Sequence, residues 1–310
     1  MIFIRDSENS KEYWDKWIDY VHSHIKDKNE KLKIPTKNPD YRPQYIYELV
    51  NDHLQLMLRR YSRGDEISEL KQYFEPLLYY WELSEAEGRK VWENRVFYTR
   101  KTWKINLDTY IKCFWLTGLA LILGIPDDQW QRLLNLMGNE GEDELLDRVI
   151  ASRQKNRKIG TRICHPMPYQ RLLDAVNAPK EEQAQMLFVF VKNWYKELKH
   201  PPPKDLPKDM PKYDHPYWYN YWSEGMEQTH PQNGFYFGYW CIEAVAAVKA
   251  FDLDDSKCQG HRNYPGDFLH PNGASTHPQR ETTCIPVEPI PPPKKPGFFA
   301  KLFDKMIDAI

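Results

Sequence analysis

The chain predicts an all-α fold of two packed helical subdomains, and three observations predict it. Apolar residues recur at helical spacing through most of the stretch from Trp14 to Phe251. Capping side chains, glycines and prolines punctuate those stretches at the places where helices start and stop. No convincing period-two alternation appears. RVFYTRKTW is a single short run, and one run does not make a sheet.

The elements follow in order. Ser10 caps a first helix that carries Trp14, Trp17, Ile18, Val21 and Ile25 on one face. KIPTKNPDYRP breaks it with three prolines. A second helix is predicted from about Pro43 to Arg60, with Ile46, Leu49, Val50, Leu54, Met57 and Leu58 in register. Gly64 stops it and Asp65 is placed to cap the next. That third helix carries Leu70, Phe74, Leu77, Leu78 and Trp81, and Pro76 predicts a kink or an early end. SEAE, Ser84 to Glu87, reads as a capping box opening another helix. Asn106 or Asp108 starts the most apolar helix, which ends at LGIPDD. Pro126, Asp127 and Asp128 then suit the first turn of a new one. GNEGEDELLDRVIASR reads as a loop and a short helix, and RQKNRKIGTR as a basic patch without a period. Pro168 to Ala178 and Lys180 to Lys199 are helical, and the proline-rich His200 to Pro216 is not. This gives an N-terminal helical domain over 1–125, a C-terminal one over 126–270, a proline-rich linker over 271–296 and a tail helix over 297–310. The tail, GFFAKLFDKMIDAI, is amphipathic. It suits docking on its own domain, a partner groove or a membrane surface.

Composition narrows the function. The chain has 310 residues with a formal net charge of −1, which does not suit a freely basic nucleic-acid binder. Its five cysteines are odd in number and lack CxxC spacing, so reduced thiols in a cytoplasmic protein fit better than disulfides or structural zinc. The N-terminus turns charged at its fifth residue and shows no signal-peptide core. CFWLTGLALILGI has thirteen residues against the ~20 that span a bilayer, so it reads as a buried helix and no membrane span is expected.

Chemistry finds little foothold. His215, Glu224, Glu227, His230, Glu243, Asp254, Asp255, His261, Asp267 and His270 could serve a metal-dependent hydrolase, the alternative class, but none forms HExxH. His22 and His24 are two apart on a helix and share no face. There is no GxSxG elbow and no glycine-rich phosphate loop, and Cys241 reads as a core residue. Neither a catalytic residue nor a cofactor is therefore assigned. RQKNRKIGTR could touch phosphate with Tyr169 stacking on a base, or could be a solvated loop paired with the preceding GEDELLD.

The stretch NGFYFGYWCIEAVAAVKAFDLDDSKCQGHRNYPGDFLH, Asn233 to His270, is the most distinctive. Gly234 and Gly238 let the chain turn, and a helix from Tyr239 to Phe251 follows, with alanines that permit close approach. Glu243 is the one acid on its apolar body, suited to a buried hydrogen bond or ion pair or to a surface contact. From Tyr213 to His270, eight acids stand against three bases, a net of −5. An acidic, aromatic-rich segment of this kind suits docking of something basic.

Gly238, Tyr239, Trp240, Glu243, Ala244, Asp254, Asp255, Ser256, Tyr264, Pro265 and Asp267, with LLDAVNAP and NWYKELK upstream, resemble the C-terminal domain of the PoNi immunity proteins, which neutralise polymorphic nuclease effectors. The likeness is good over Pro168 to His270, and the chain departs at Gly266, where an aromatic is expected. The resemblance implies a non-catalytic antitoxin that binds a DNase toxin domain, delivered typically by type VI secretion, and blocks its DNA cleft or active site. It implies no direct nucleic-acid partner and leaves the oligomeric state open. The contacts expected on this basis are the acids Glu224, Glu227, Asp254, Asp255 and Asp267, taken as exposed, with Tyr236 and Tyr264 as anchors. Gly238, Tyr239, Trp240, Glu243 and Pro265 are expected to hold the fold.

Overall fold

The computed structural model describes residues 3–6, 8–201, 215–219 and 236–278. The linker and tail helix lie outside them, as do Glu224 and Glu227. Ten α-helices and two short 3₁₀ helices make up the described residues, which include no strand.

Each helix begins where a local signal permits. Ser10 accepts a hydrogen bond from the Tyr13 amide and opens α1, Lys11–Leu32. Helix α2, Arg42–Arg63, carries Pro43 in its first turn and stops at Gly64, whose φ of 101° is left-handed. Lys28 on α1 bridges to Glu48 and Asp52 on α2 at 3.1 and 2.9 Å. Asp65 caps nothing: its carboxylate is taken by Arg60 and Arg63. A 3₁₀ turn, Ile67–Tyr73, leads instead into α3, Phe74–Val91. Pro76 neither kinks nor ends α3, because it falls in the first turn, where the missing N–H has no acceptor to lose. SEAE opens no helix. Ser84 is buried within α3 and donates to the Pro43 carbonyl at 2.7 Å, tying α3 to the start of α2. RVFYTRKTW is helical over α4, Asn94–Lys101.

Asn106 accepts from the Thr109 amide and opens α5, Leu107–Leu123, which is buried on nearly every side. No helix of the described residues is long and apolar enough to cross a membrane. Then come α6, Asp127–Met137, and α7, Glu144–Ala151. Helices α8, Pro166–Asn177, and α9, Lys180–Glu197, pack as a pair. Helix α10, Ile242–Phe251, starts three residues later than its pattern predicts. The backbone before it is already engaged: the Cys241 amide donates to the Asn263 carbonyl at 2.8 Å. Asn263 Nδ2 in turn donates to the Tyr239 carbonyl at 2.9 Å.

One continuous apolar core runs from Trp14 to Phe268. Its centre is the crossing of α5 and α10, where Gly118 faces Ala246 so closely that a Cβ on Gly118 would lie 2.7 Å from the Ala246 Cβ. Gly118→Val is therefore expected to destabilise the protein by about 1–3 kcal/mol, the usual range for overpacking. Chemical denaturation measures this, and Ala246→Gly in the same chain should restore part of the loss. A pair of losses that simply add would place the strain elsewhere.

Candidate functional site

Residues 3–6 run as an extended arm along the end of α2. The Arg5 and Asp6 amides both donate to the Ser62 carbonyl at 3.0 Å, and Arg5 Nη1 reaches the carbonyls of Tyr61 and Asp65. Arg5 Nε meets Asp267 Oδ2 at 2.7 Å, with both side chains less than a tenth exposed. Asp267 also accepts from Ser275 Oγ and from the Thr276 amide and hydroxyl, at 2.7, 2.7 and 3.0 Å. Burial alone would raise its pKa. These donors and the arginine more than offset that and hold it below the ordinary aspartate value.

Around this pair sits an aromatic joint between the two ends of the chain. Tyr61 of α2 stacks on Phe268 with ring centroids 4.0 Å apart, meets Trp240 edge-on and shares a 2.8 Å hydrogen bond with His277. Trp240 Nε1 donates to Ser62 Oγ at 2.8 Å. Gly238 makes this possible: its φ is 95°, and a Cβ there would lie 2.1 Å from Trp240 Nε1. Gly266 is equally constrained, since a Cβ would sit 2.8 Å from both Gln259 Oε1 and Thr276 Oγ1. An aromatic at that position needs a differently arranged loop.

Tyr236, Tyr264 and Asp267 are therefore interior, not exposed as expected. Tyr236 is 4% exposed and donates to Asp6 at 2.5 Å, and burial pushes the Asp6 carboxyl up to about 6. Tyr264 is fully buried and donates to Asp255 Oδ2 at 2.5 Å. Asp267 is 4% exposed because Arg5 compensates its charge inside the joint. Asp254 stays exposed, accepting from the Ser256 amide, and Asp255 is half-buried beneath Tyr264. Among the described residues the segment shows no net acidic face. Glu243 and Asp267 are interior, and three of its acids lie outside the described residues. At the described surface Asp252, Asp254 and Asp255 stand against Lys249, Lys257 and Arg262.

Glu243 lies at the heart of the core. Oε1 accepts from Tyr169 at 2.8 Å, while Oε2 has no hydrogen-bond partner. The Trp115 and Trp194 indoles face the carboxyl and favour its charge without completing hydrogen bonds. Burial dominates and raises its pKa to about 7. Tyr169, a candidate for stacking on a base, is wholly committed here.

The basic run also turns inward. Arg157 and Asp147 are both buried and pair at 2.7 Å. Asp143 accepts from the Leu146 and Cys164 amides and from Tyr110. Gly160 passes so close that a Cβ would lie 2.5 Å from the Asp143 nitrogen. The alternative of pairing with GEDELLD is thus what the loop does, leaving Lys155, Lys158 and Arg162 exposed. The four described cysteines are free and buried, and burial raises each thiol pKa. Among the described residues no three His, Cys, Asp or Glu side chains gather as metal ligands.

Arg5, Tyr61 and His277 escaped the sequence reading because each acts on a partner far away in the chain. The one available signal was the lone arginine in the otherwise apolar opening, IFIR.

Fold and site together define a helical scaffold whose signature residues lock its two ends. The comparisons with known proteins give the class a name. The chain belongs to the PoNe immunity protein (PoNi) family: the model of the N-terminal region matches residues 5–135 and that of the C-terminal region residues 141–268. It is also similar in fold to protein PA2201 from Pseudomonas aeruginosa, seen in a crystal structure. The TM-score is 0.58 at 14% identity, covering 83% of this chain and 87% of that one. No curated protein sequence matches it.

Proposed function

We propose that this chain neutralises a nuclease toxin by binding the toxin domain one-to-one and covering its DNA-binding cleft or active site. Membership of the immunity family over nearly the whole chain carries this reading. A nuclease must present a basic groove to DNA, so acids on the inhibitor are suited to compete for it. Inward placement of Tyr236, Tyr264 and Asp267 leaves Asp254, Asp255, Glu224 and Glu227 as the proposed contacts. The proposed setting is the cytoplasm of a cell exposed to kin that deliver the toxin by type VI secretion.

Co-expression with the toxin domain encoded beside this chain tests the proposal. Survival with a one-to-one complex supports it, and continued killing with no complex overturns it. The triple reversal Glu224→Lys, Glu227→Lys, Asp254→Lys is expected to weaken the complex at least tenfold at low salt, with less effect at high salt. Asp255 is left intact because Tyr264 depends on it. Unchanged affinity in a folded triple variant would remove these three acids from the proposed contacts.

A further inference from the structure

We propose that the cleft between α2, α3, α4 and α5 is a binding site for a small planar organic anion, an aryl carboxylate or aryl phosphate, held by Arg100 and Lys112. The cleft has a volume of about 370 Å³ and is lined mainly by the N-terminal half, with Tyr217 from the C-terminal half. That is the size of small-molecule sites, which combine apolar walls with a few placed polar groups. Its walls are Tyr47, Trp81, Trp92 and Phe97.

Two cations in this cleft, buried Lys112 and half-buried Arg100, are short of acceptors among the described residues. Lys112 is 8% exposed on the otherwise apolar α5, and its ammonium, with three donors, makes one hydrogen bond, to Tyr47 Oη at 3.0 Å. Arg100 donates no side-chain hydrogen bond among the described residues. Its guanidinium lies over the Trp92 ring at 4.3 Å and the Tyr47 ring at 5.4 Å. Lys112 Nζ sits 4.2 Å from the centre of that same Tyr47 ring. Among the described residues neither cation has a carboxylate within ion-pair distance, whereas the adjacent Lys101 pairs with Glu85 at 2.6 Å. Asp108 acts on Lys112 from further off, and one of its oxygens accepts from the Tyr217 amide.

Burial and the neighbouring Arg100 charge both disfavour the Lys112 ammonium, whose pKa falls to about 8. Two like charges on one ring, short of acceptors and facing an open cleft, are complementary to an anion between them. The aromatic walls are complementary to a flat apolar body attached to it. Asn51 Oδ1 adds a buried acceptor with no partner on the same wall, suited to a hydroxyl or N–H on the ligand.

Trp81 and Trp92 in the walls make the full-length protein its own reporter. Its tryptophan fluorescence would be titrated with phenyl phosphate, benzoate, inorganic phosphate and neutral benzyl alcohol, with calorimetry on the same samples. The expected result is saturable one-site binding of phenyl phosphate or benzoate at least tenfold tighter than benzyl alcohol and inorganic phosphate. The tighter of the two aryl anions tells whether phosphate or carboxylate is the natural head group. Arg100→Gln and Lys112→Met should each weaken that binding at least tenfold. Arg100→Gln carries the test alone if Lys112→Met fails to fold. Equal binding of benzyl alcohol, or wild-type binding by folded variants, overturns the proposal. So does loss of toxin binding in the variants without any aryl-anion binding by the wild type, which would assign the cleft to an acidic side chain of the toxin.

Discussion

Asp267→Ala is expected to lower folding stability by about 3–5 kcal/mol, the usual result of leaving one member of a buried ion pair behind. Arg5 would lose its carboxylate, and the Thr276 amide and the Ser275 hydroxyl would lose their acceptor. Protection should fall with it, but through a shortage of folded protein rather than through a weakened interface. Chemical denaturation separates the two. Asp254→Lys, on the exposed loop, should leave stability close to that of the wild type. An Asp267→Ala protein as stable as the wild type, yet unable to hold toxin, would return this residue to the surface contacts.

Glu243 carries the second large effect, and it depends on pH. Its pKa in the fold, about 7, lies above the value of 4.5 expected in the unfolded chain. The fold therefore favours the protonated acid. The stability it contributes is complete below pH 4.5 and is lost as pH rises through 7. Glu243→Gln removes this dependence. The wild type should lose about 2–3 kcal/mol relative to that variant between pH 5 and pH 8.5, measured by denaturation at both values. Asp6, raised by burial to about 6, and His165, lowered by burial to about 4, titrate in both proteins and cancel in the difference. A difference that does not move with pH would mean that Glu243 stays charged, with the indole N–H groups of Trp115 and Trp194 closing on it.

Sequence and structure agree where the cause is local. Ser10, Gly64, Asn106 and Gly124 end or open helices because a cap or a left-handed residue acts on backbone groups within one turn. SEAE fails because the choice between opening a helix and continuing one depends on the Pro43 carbonyl, a tertiary partner. Exposure of the candidate contacts is hard to read from sequence for a related reason. Counting charge treats every acid as solvated, which holds unless a distant group compensates it. Asp267 has Arg5, which is 262 positions away in the chain. The GYW and YPGDF segments were rightly singled out as distinctive. What their residues do, closing a joint with Tyr61 and Ser62, could be read only once α2 was in place.

The arm and the joint bear on how the protein is made. Arg5 and Asp267 are separated by 262 positions, so the charge of the arginine is paired only once the chain has been made as far as Asp267. Loop closure over such a span is slow compared with helix formation, and domains otherwise fold as they emerge. A translation product that stops short of Asp267 lacks the latch on both of its halves and is open to proteolysis. Pairing of the two segments is thereby tied to synthesis of the chain through Asp267.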